Sequence, residues 1–182
     1  MIEIRKKEFE NAMNFIGIKN FENFNIPDKS LYKHLKIFNK LNLKKYDYVF
    51  VPNKYETHID HHVIYKKVKS LLRFSKTKLV SYEVWSTLIN PTSYVDISDI
   101  IEQKQDLINK NYPSQLEDIN YTERIIGLNK YRGMQCRKMY AEAFNVEDLN
   151  QKFFSISLST NKTHKIIIIL GLKIKLKRKN YA

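Results

Sequence analysis

The chain has 182 residues, 43% apolar and 13% aromatic, which suits one domain with a sizeable core, or a domain and a tail, and excludes an intrinsically disordered chain. Lys and Arg outnumber Asp and Glu by 32 to 19, a formal charge of +13; this draws a protein towards anionic partners, unless the abundance of Lys and Asn and the scarcity of Ala and Gly mark compositional drift over a solvated surface. Cys136 is the only cysteine, which excludes an intrachain disulfide, no window of about 18 apolar residues excludes a spanning helix, and no apolar h-region follows Met1, so the expectation is a cytoplasmic protein.

In chain order, Ile4 to Ile16 places Phe9, Ala12, Met13 and Ile16 on one face of a helix, with Gly17 where a C-terminal cap belongs. Phe21 to Phe24 reads as a short strand, punctuated by Pro27-Asp28. Ser30 is positioned to cap a second helix carrying Leu31, Leu35, Phe38 and Leu41. Tyr48 to Val51 is a continuous apolar run of the kind found in a strand buried on both faces. A third helix carries Val63, Ile64, Val68, Leu71 and Leu72, and Leu79 to Val84 is the next strand. Tyr94 to Ser98 reads as a short strand running into a helix capped by Ser98 and ended by Pro113. Tyr121 to Tyr140 is a longer helical stretch, and Ala141 to Phe144 closes the domain. Helix and strand alternate through the first half with short connections, which predicts βαβ units and a parallel sheet with helices on its faces.

From about Phe153 the character changes. HKIIIILGLKIKLKRK passes from an apolar run to Lys alternating with Leu or Ile, a period of two that predicts a strand with one basic face. Such a tail can guard a sheet edge with lysines, or lie on an acidic membrane surface. The division expected is a domain over 1–150 and a basic β-like tail over 151–182.

The densest chemistry lies in His58-Ile59-Asp60-His61-His62, just after the predicted strand that ends at Pro52. Sites in open α/β sheets form at the carboxyl ends of strands. Residues three apart at a helix start share a side, so His58 and His61 can face one point. Neutral imidazole is a zinc ligand, and catalytic zinc takes about three protein ligands and keeps one position for water. A second imidazole beside it can serve an oxyanion or a leaving nitrogen, and Asp60 can orient an imidazole. His62 points elsewhere. The alternative is that these histidines only cap or hydrogen-bond at a strand–helix junction.

HIDH after a strand ending in proline resembles the HPDH signature of the LmbE-like or PIG-L family of zinc-dependent N-acetylglucosaminide deacetylases, with Ile59 in place of proline. The resemblance extends over residues 2 to 145. Arg5 and Glu8, with Ala12 and Gly17, look like the family's R-x-x-E helix. Pro27-Asp28 with Leu31 looks like its PD…L turn. Asp96-Ile97-Ser98, Lys104 and Ser114-Gln115 follow its DIS…K…SQ order, and Arg132-Gly133 with Tyr140-Ala-Glu-Ala-Phe144 its closing segment.

The resemblance implies a Rossmann-like parallel sheet with helices on both faces. It also implies zinc as cofactor, an N-acetylated amino sugar as substrate and a homo-oligomeric assembly. It makes His61 the metal ligand and His58 the assistant at oxyanion and leaving nitrogen, with Asp60 beside them as a catalytic group and Arg5 and Asp28 contacting the sugar. Family members also carry a strand ending His-x-Asp-Asp, which supplies two further ligands and the general base. This sequence has none.

The expectation is therefore an incomplete sheet lacking its first βαβ portion, about 30 residues or more. That describes a fragment or variant deacetylase, inactive as this chain. A misplaced start, a site completed by another polypeptide, or a retired enzyme kept for binding would each account for it. The tail is similar to the ends of bacterial enzymes that build surface polysaccharides, which suggests amino-sugar processing at the inner membrane face. The alternative function is a non-catalytic basic protein on an anionic glycan or membrane. No nucleic-acid reader motif is present, so no nucleic-acid partner is expected.

Overall fold

A computed structural model describes residues 2–117, 119–150, 154–158, 164–169 and 172–177. The first helix, α1 (Ile2–Phe15), stops at Gly17, whose φ is +74°. There the Ile18 N–H reaches back to the Met13 carbonyl at 2.9 Å, the left-handed ending for which glycine costs least. The strand expected at Phe21–Phe24 does not form. Phe21 packs edge-on to Phe9, with ring centroids 5.5 Å apart, and Asn23 Oδ1 accepts the Asn25 N–H at 2.9 Å. A local side-chain acceptor has taken a backbone donor that a ladder would need.

The single helix expected from Leu31 is instead three short 3-10 turns, Leu31–Lys33, Leu35–Lys40 and Leu43–Lys45. The segment mixes aromatic, β-branched and Asn residues of modest helix propensity. Of its expected apolar face, Leu31 and Phe38 are buried while Leu35 is exposed.

The sheet and its helices follow as β1 (Tyr48–Pro52), α2 (Ile59–Leu71), β2 (Lys78–Tyr82), β3 (Ser93–Asp96), α3 (Ile101–Asn111), α4 (Pro113–Leu116), α5 (Tyr121–Cys136) and β4 (Ala141–Asp148). Strand order is β1-β2-β4-β3. β1 and β2 are parallel, paired from Tyr48 with Lys78 to Pro52 with Tyr82, as the alternation predicts. β4 runs antiparallel to both β2 and β3, so three strands share a direction and one opposes them. The register gives the reason. Asp96 ends β3 and pairs with Ala141, which begins β4, so α5 delivers the chain at the carboxyl end of β3 and β4 can only run back. The result is a mixed open α/β sheet. Pro113 begins α4 rather than merely ending α3, at the first helical position where its missing N–H costs nothing.

The core lies between α2 and the β1–β2 pair. Leu72 and Leu79 are fully buried, with Val51, Val68, Tyr65, Leu31, Phe38 and Leu149 around them. β1 is an outer strand, and its outward residues Tyr48 and Phe50 are more than half exposed. The tail forms a second, three-stranded antiparallel sheet of β5 (Phe154–Leu158), β6 (His164–Ile169) and β7 (Leu172–Lys177), and the one basic strand expected is divided between β6 and β7. Among the described residues no helix is long and apolar enough to cross a membrane.

Candidate functional site

The loop that leaves β1 is a knot of satisfied polar groups. Asn53 is fully buried; its N–H donates to the Tyr82 carbonyl at 2.9 Å, and its amide donates to the Ser86 carbonyl at 2.6 Å and to Glu56 Oε1 at 3.2 Å. Glu56 has a side chain with no exposure at all. Its Oε1 accepts the N–H groups of Val84, Trp85 and Ser86 at 3.2, 3.1 and 3.1 Å. Its Oε2 stands 3.1 Å from His61 Nδ1. A buried carboxylate persists only when paired and hydrogen-bonded in this way.

This carboxylate fixes an imidazole. Glu56 already accepts from three backbone donors and as a carboxylate can only accept from His61, so Nδ1 carries the proton of that bond, and a neutral ring has its lone pair on Nε2. Tyr82 lies on the same side. Burial, and then the negative charge of Glu56, push its phenol above its ordinary range.

His58 caps the start of α2 with extended backbone and no capping bond from its side chain. Its ring is 4.9 Å from that of His61, centroid to centroid, with the planes at 43°, so the two imidazoles are neighbours. His58 Nε2 is 3.1 Å from Asp28 Oδ1, while its Nδ1 is buried with no partner. Each of the two histidines thus has a carboxylate behind one nitrogen.

Asp60 does something the sequence did not indicate. Its oxygens accept the N–H groups of Lys29 and Leu31, at 2.7 and 3.1 Å. Lys29 is left-handed, with φ +57°, in a turn closed by the Ser30 N–H on the Pro27 carbonyl at 3.2 Å. A non-glycine residue holds that conformation only when its surroundings fix it. Asp60 therefore seats the turn that presents Asp28 to His58. His62 lies apart, with Nδ1 3.3 Å from the Lys54 carbonyl.

Arg5, Asp28, His58, Asp60 and His61 all line one groove of about 1320 Å³. Arg5 is an exposed residue on its rim. Farther along, Lys104 bridges Asn129, at 2.8 Å, and Glu142. The remaining motif residues hold the groove's frame. Glu8 accepts the N–H and hydroxyl of Ser114 at 2.8 and 2.7 Å, tying α1 to α4. Arg132 is buried against Glu83 and donates to the Leu88 carbonyl at 2.8 Å, fastening the loop between β2 and β3. Gly133 lies so close to the turn after α5 that a Cβ would sit 2.6 Å from the Lys138 and Met139 carbonyl oxygens. Ser98 makes no helix cap; its N–H and hydroxyl go to Asp96 at 3.0 and 2.6 Å.

One acid–imidazole cluster lines the groove, but its spacing does not fit zinc. Asp28, His58 and Asp60 each offer a ligand atom, all within 4.8 Å of one another. That is wider than the roughly 3.4 Å implied by tetrahedral zinc bonds of about 2.1 Å, and both Asp60 oxygens are engaged by the turn. His61 shares one feature of metal-binding imidazoles, a carboxylate behind one ring nitrogen.

Residues 1–72 match the protein-family model described as PIG-L: GlcNAc-PI de-N-acetylase. Three solved structures share the fold. The conserved protein TT1542 from Thermus thermophilus is 23% identical at a TM-score of 0.64, over 79% of this chain and 72% of that one. An N,N'-diacetylchitobiose deacetylase from Pyrococcus horikoshii is 21% identical at 0.60, over 80% of this chain and 64% of that one. GalB, a 4-carboxy-2-hydroxymuconate hydratase from Pseudomonas putida, is 13% identical at 0.53, over 79% and 71%. The chain thus spans less than two thirds of the chitobiose deacetylase. A deacetylase and a hydratase on one scaffold show that the fold alone fixes no reaction.

Proposed function

We propose that this chain, with its PIG-L match over residues 1–72, carries one half of a metal-dependent centre that removes acetyl from an N-acetylated amino sugar. The observation that supports this most is the pair of imidazoles 4.9 Å apart at the carboxyl end of β1, each backed by a carboxylate and opening on a groove of about 1320 Å³. His61 would hold zinc through Nε2, and zinc completed by further ligands would supply an activated water at neutral pH. His58 would assist at the amide oxygen or the departing nitrogen through Nε2, the nitrogen beside Asp28, since its Nδ1 is buried. Asp60 positions that pair through the turn it holds. Arg5 reaches the sugar from the rim, and Asp28 adds a sugar contact.

One imidazole is too few ligands for catalytic zinc, and the sequence contains no His-x-Asp-Asp segment to supply others. The chain by itself is therefore inactive on the amide. The charge of +13 favours work on anionic glycan precursors at a membrane face, as in surface-polysaccharide assembly.

Acetate release from N,N'-diacetylchitobiose with zinc tests this. The chain alone should release none above background. Adding a polypeptide that carries a strand ending His-x-Asp-Asp should produce release, and His61→Ala should abolish it. Release by the unaided chain that survives His61→Ala would contradict the proposal.

A further inference from the structure

Trp85 is the only tryptophan in the chain, and it is 54% exposed on the wall of the groove. Large aromatics are costly to leave in water, and a half-bare indole in a concave site is a surface shaped for a ligand. It is not a loose side chain. Its ring packs edge-to-face with Tyr121, centroids 5.4 Å apart and planes at 75°. Its backbone N–H is bonded to Glu56, at 3.1 and 3.3 Å to the two oxygens, and Glu56 holds His61. Its backbone is therefore anchored two hydrogen bonds from the His61 imidazole.

We propose that Trp85, braced by Tyr121, is the platform on which the ring of an N-acetylated hexopyranose lies while its acetamido group reaches the His58–His61 pair. A pyranose chair has an apolar face of C–H groups and a rim of hydroxyls. The face matches the negative face of an indole. The rim needs polar partners, and the same groove is lined by Lys104, Asn129 and Glu142, whose present bonds are to one another. The inference rests on the sugar-directed reading above, but it concerns a different part of the groove and needs no metal.

The test is titration of the metal-free chain with N,N'-diacetylchitobiose, read by Trp85 emission and, in parallel, by saturation-transfer NMR of the sugar. A saturable change in emission is expected. Trp85→Ala should weaken binding in the NMR readout roughly tenfold, equivalent to about 1.4 kcal/mol. Trp85→Phe should retain most of the affinity. Because the Glu56 bonds use the Trp85 backbone, both variants should keep the wild-type circular dichroism.

Sugar binding that leaves Trp85 emission unmoved and is unaffected by Trp85→Ala would overturn the platform while sparing the deacetylase reading. The same emission change with uridine but not with the sugar would also overturn it, since the wall would then stack a nucleobase. Emission and affinity behaving as expected in a chain that shows no role for His61 towards zinc would uphold the platform and sink the metal centre. No binding of the sugar in either readout would overturn both.

Discussion

Glu56 is the residue on which the site turns, and it was not legible beforehand. The histidines stand out because imidazoles are rare and clustered, and Asp60 stands out because it sits among them. Glu56 lies two positions before His58, but its partners Val84, Trp85 and Ser86 are 28 to 30 residues away, a separation that no local pattern shows. An acid in a loop between a strand and a histidine cluster was the only available signal. Removing it leaves three backbone donors and an imidazole without their acceptor. Glu56→Ala should cost roughly 3–5 kcal/mol, as for one partner of a buried charged network, measurable as a lower urea midpoint. Gly133 was readable only as part of a motif, and the structure supplies its cause. Gly133→Ala forces a methyl against two carbonyl oxygens and should cost about 2 kcal/mol or more, read the same way.

Elements with an uninterrupted period came through from the sequence. α1, β1, α2 and β2 lie close to where their apolar spacing places them, and the parallel β1–β2 pair follows from their alternation. The segment from Leu31 to Lys45 did not, because its apolar spacing suits a helix while a distant side chain fixes its start. Asp60, on α2, takes the Leu31 and Lys29 N–H groups and commits the chain to a turn. The reversed β4 was equally hidden, since its direction depends on where α5 ends in space. The role given to Asp60 is testable at this scale. Asp60→Ala should free the turn, and the Lys29 and Leu31 amides should exchange roughly ten- to a hundredfold faster, as expected for lost bonds to a charged acceptor. Unchanged protection at those amides would show that the turn holds itself.

Across the whole molecule, an open sheet brings residues from α1, the turn before the 3-10 segment, the start of α2 and the α3–α5 face around one groove. Sequence order placed Arg5 and Asp28 far from the His58–His62 cluster, and only the family resemblance joined them to it. The structure gives that grouping a physical basis, with carboxylates behind both imidazoles and a cavity in front of them. The central claim is that His61 offers Nε2 to a metal because Glu56 has taken Nδ1. The most direct measurement is a zinc titration followed by the imidazole nitrogen resonances. The account predicts weak one-site binding that shifts His61 Nε2 and disappears in His61→Ala. Zinc that leaves the His61 nitrogens unmoved, or that binds His61→Ala as well as the wild type, would contradict it.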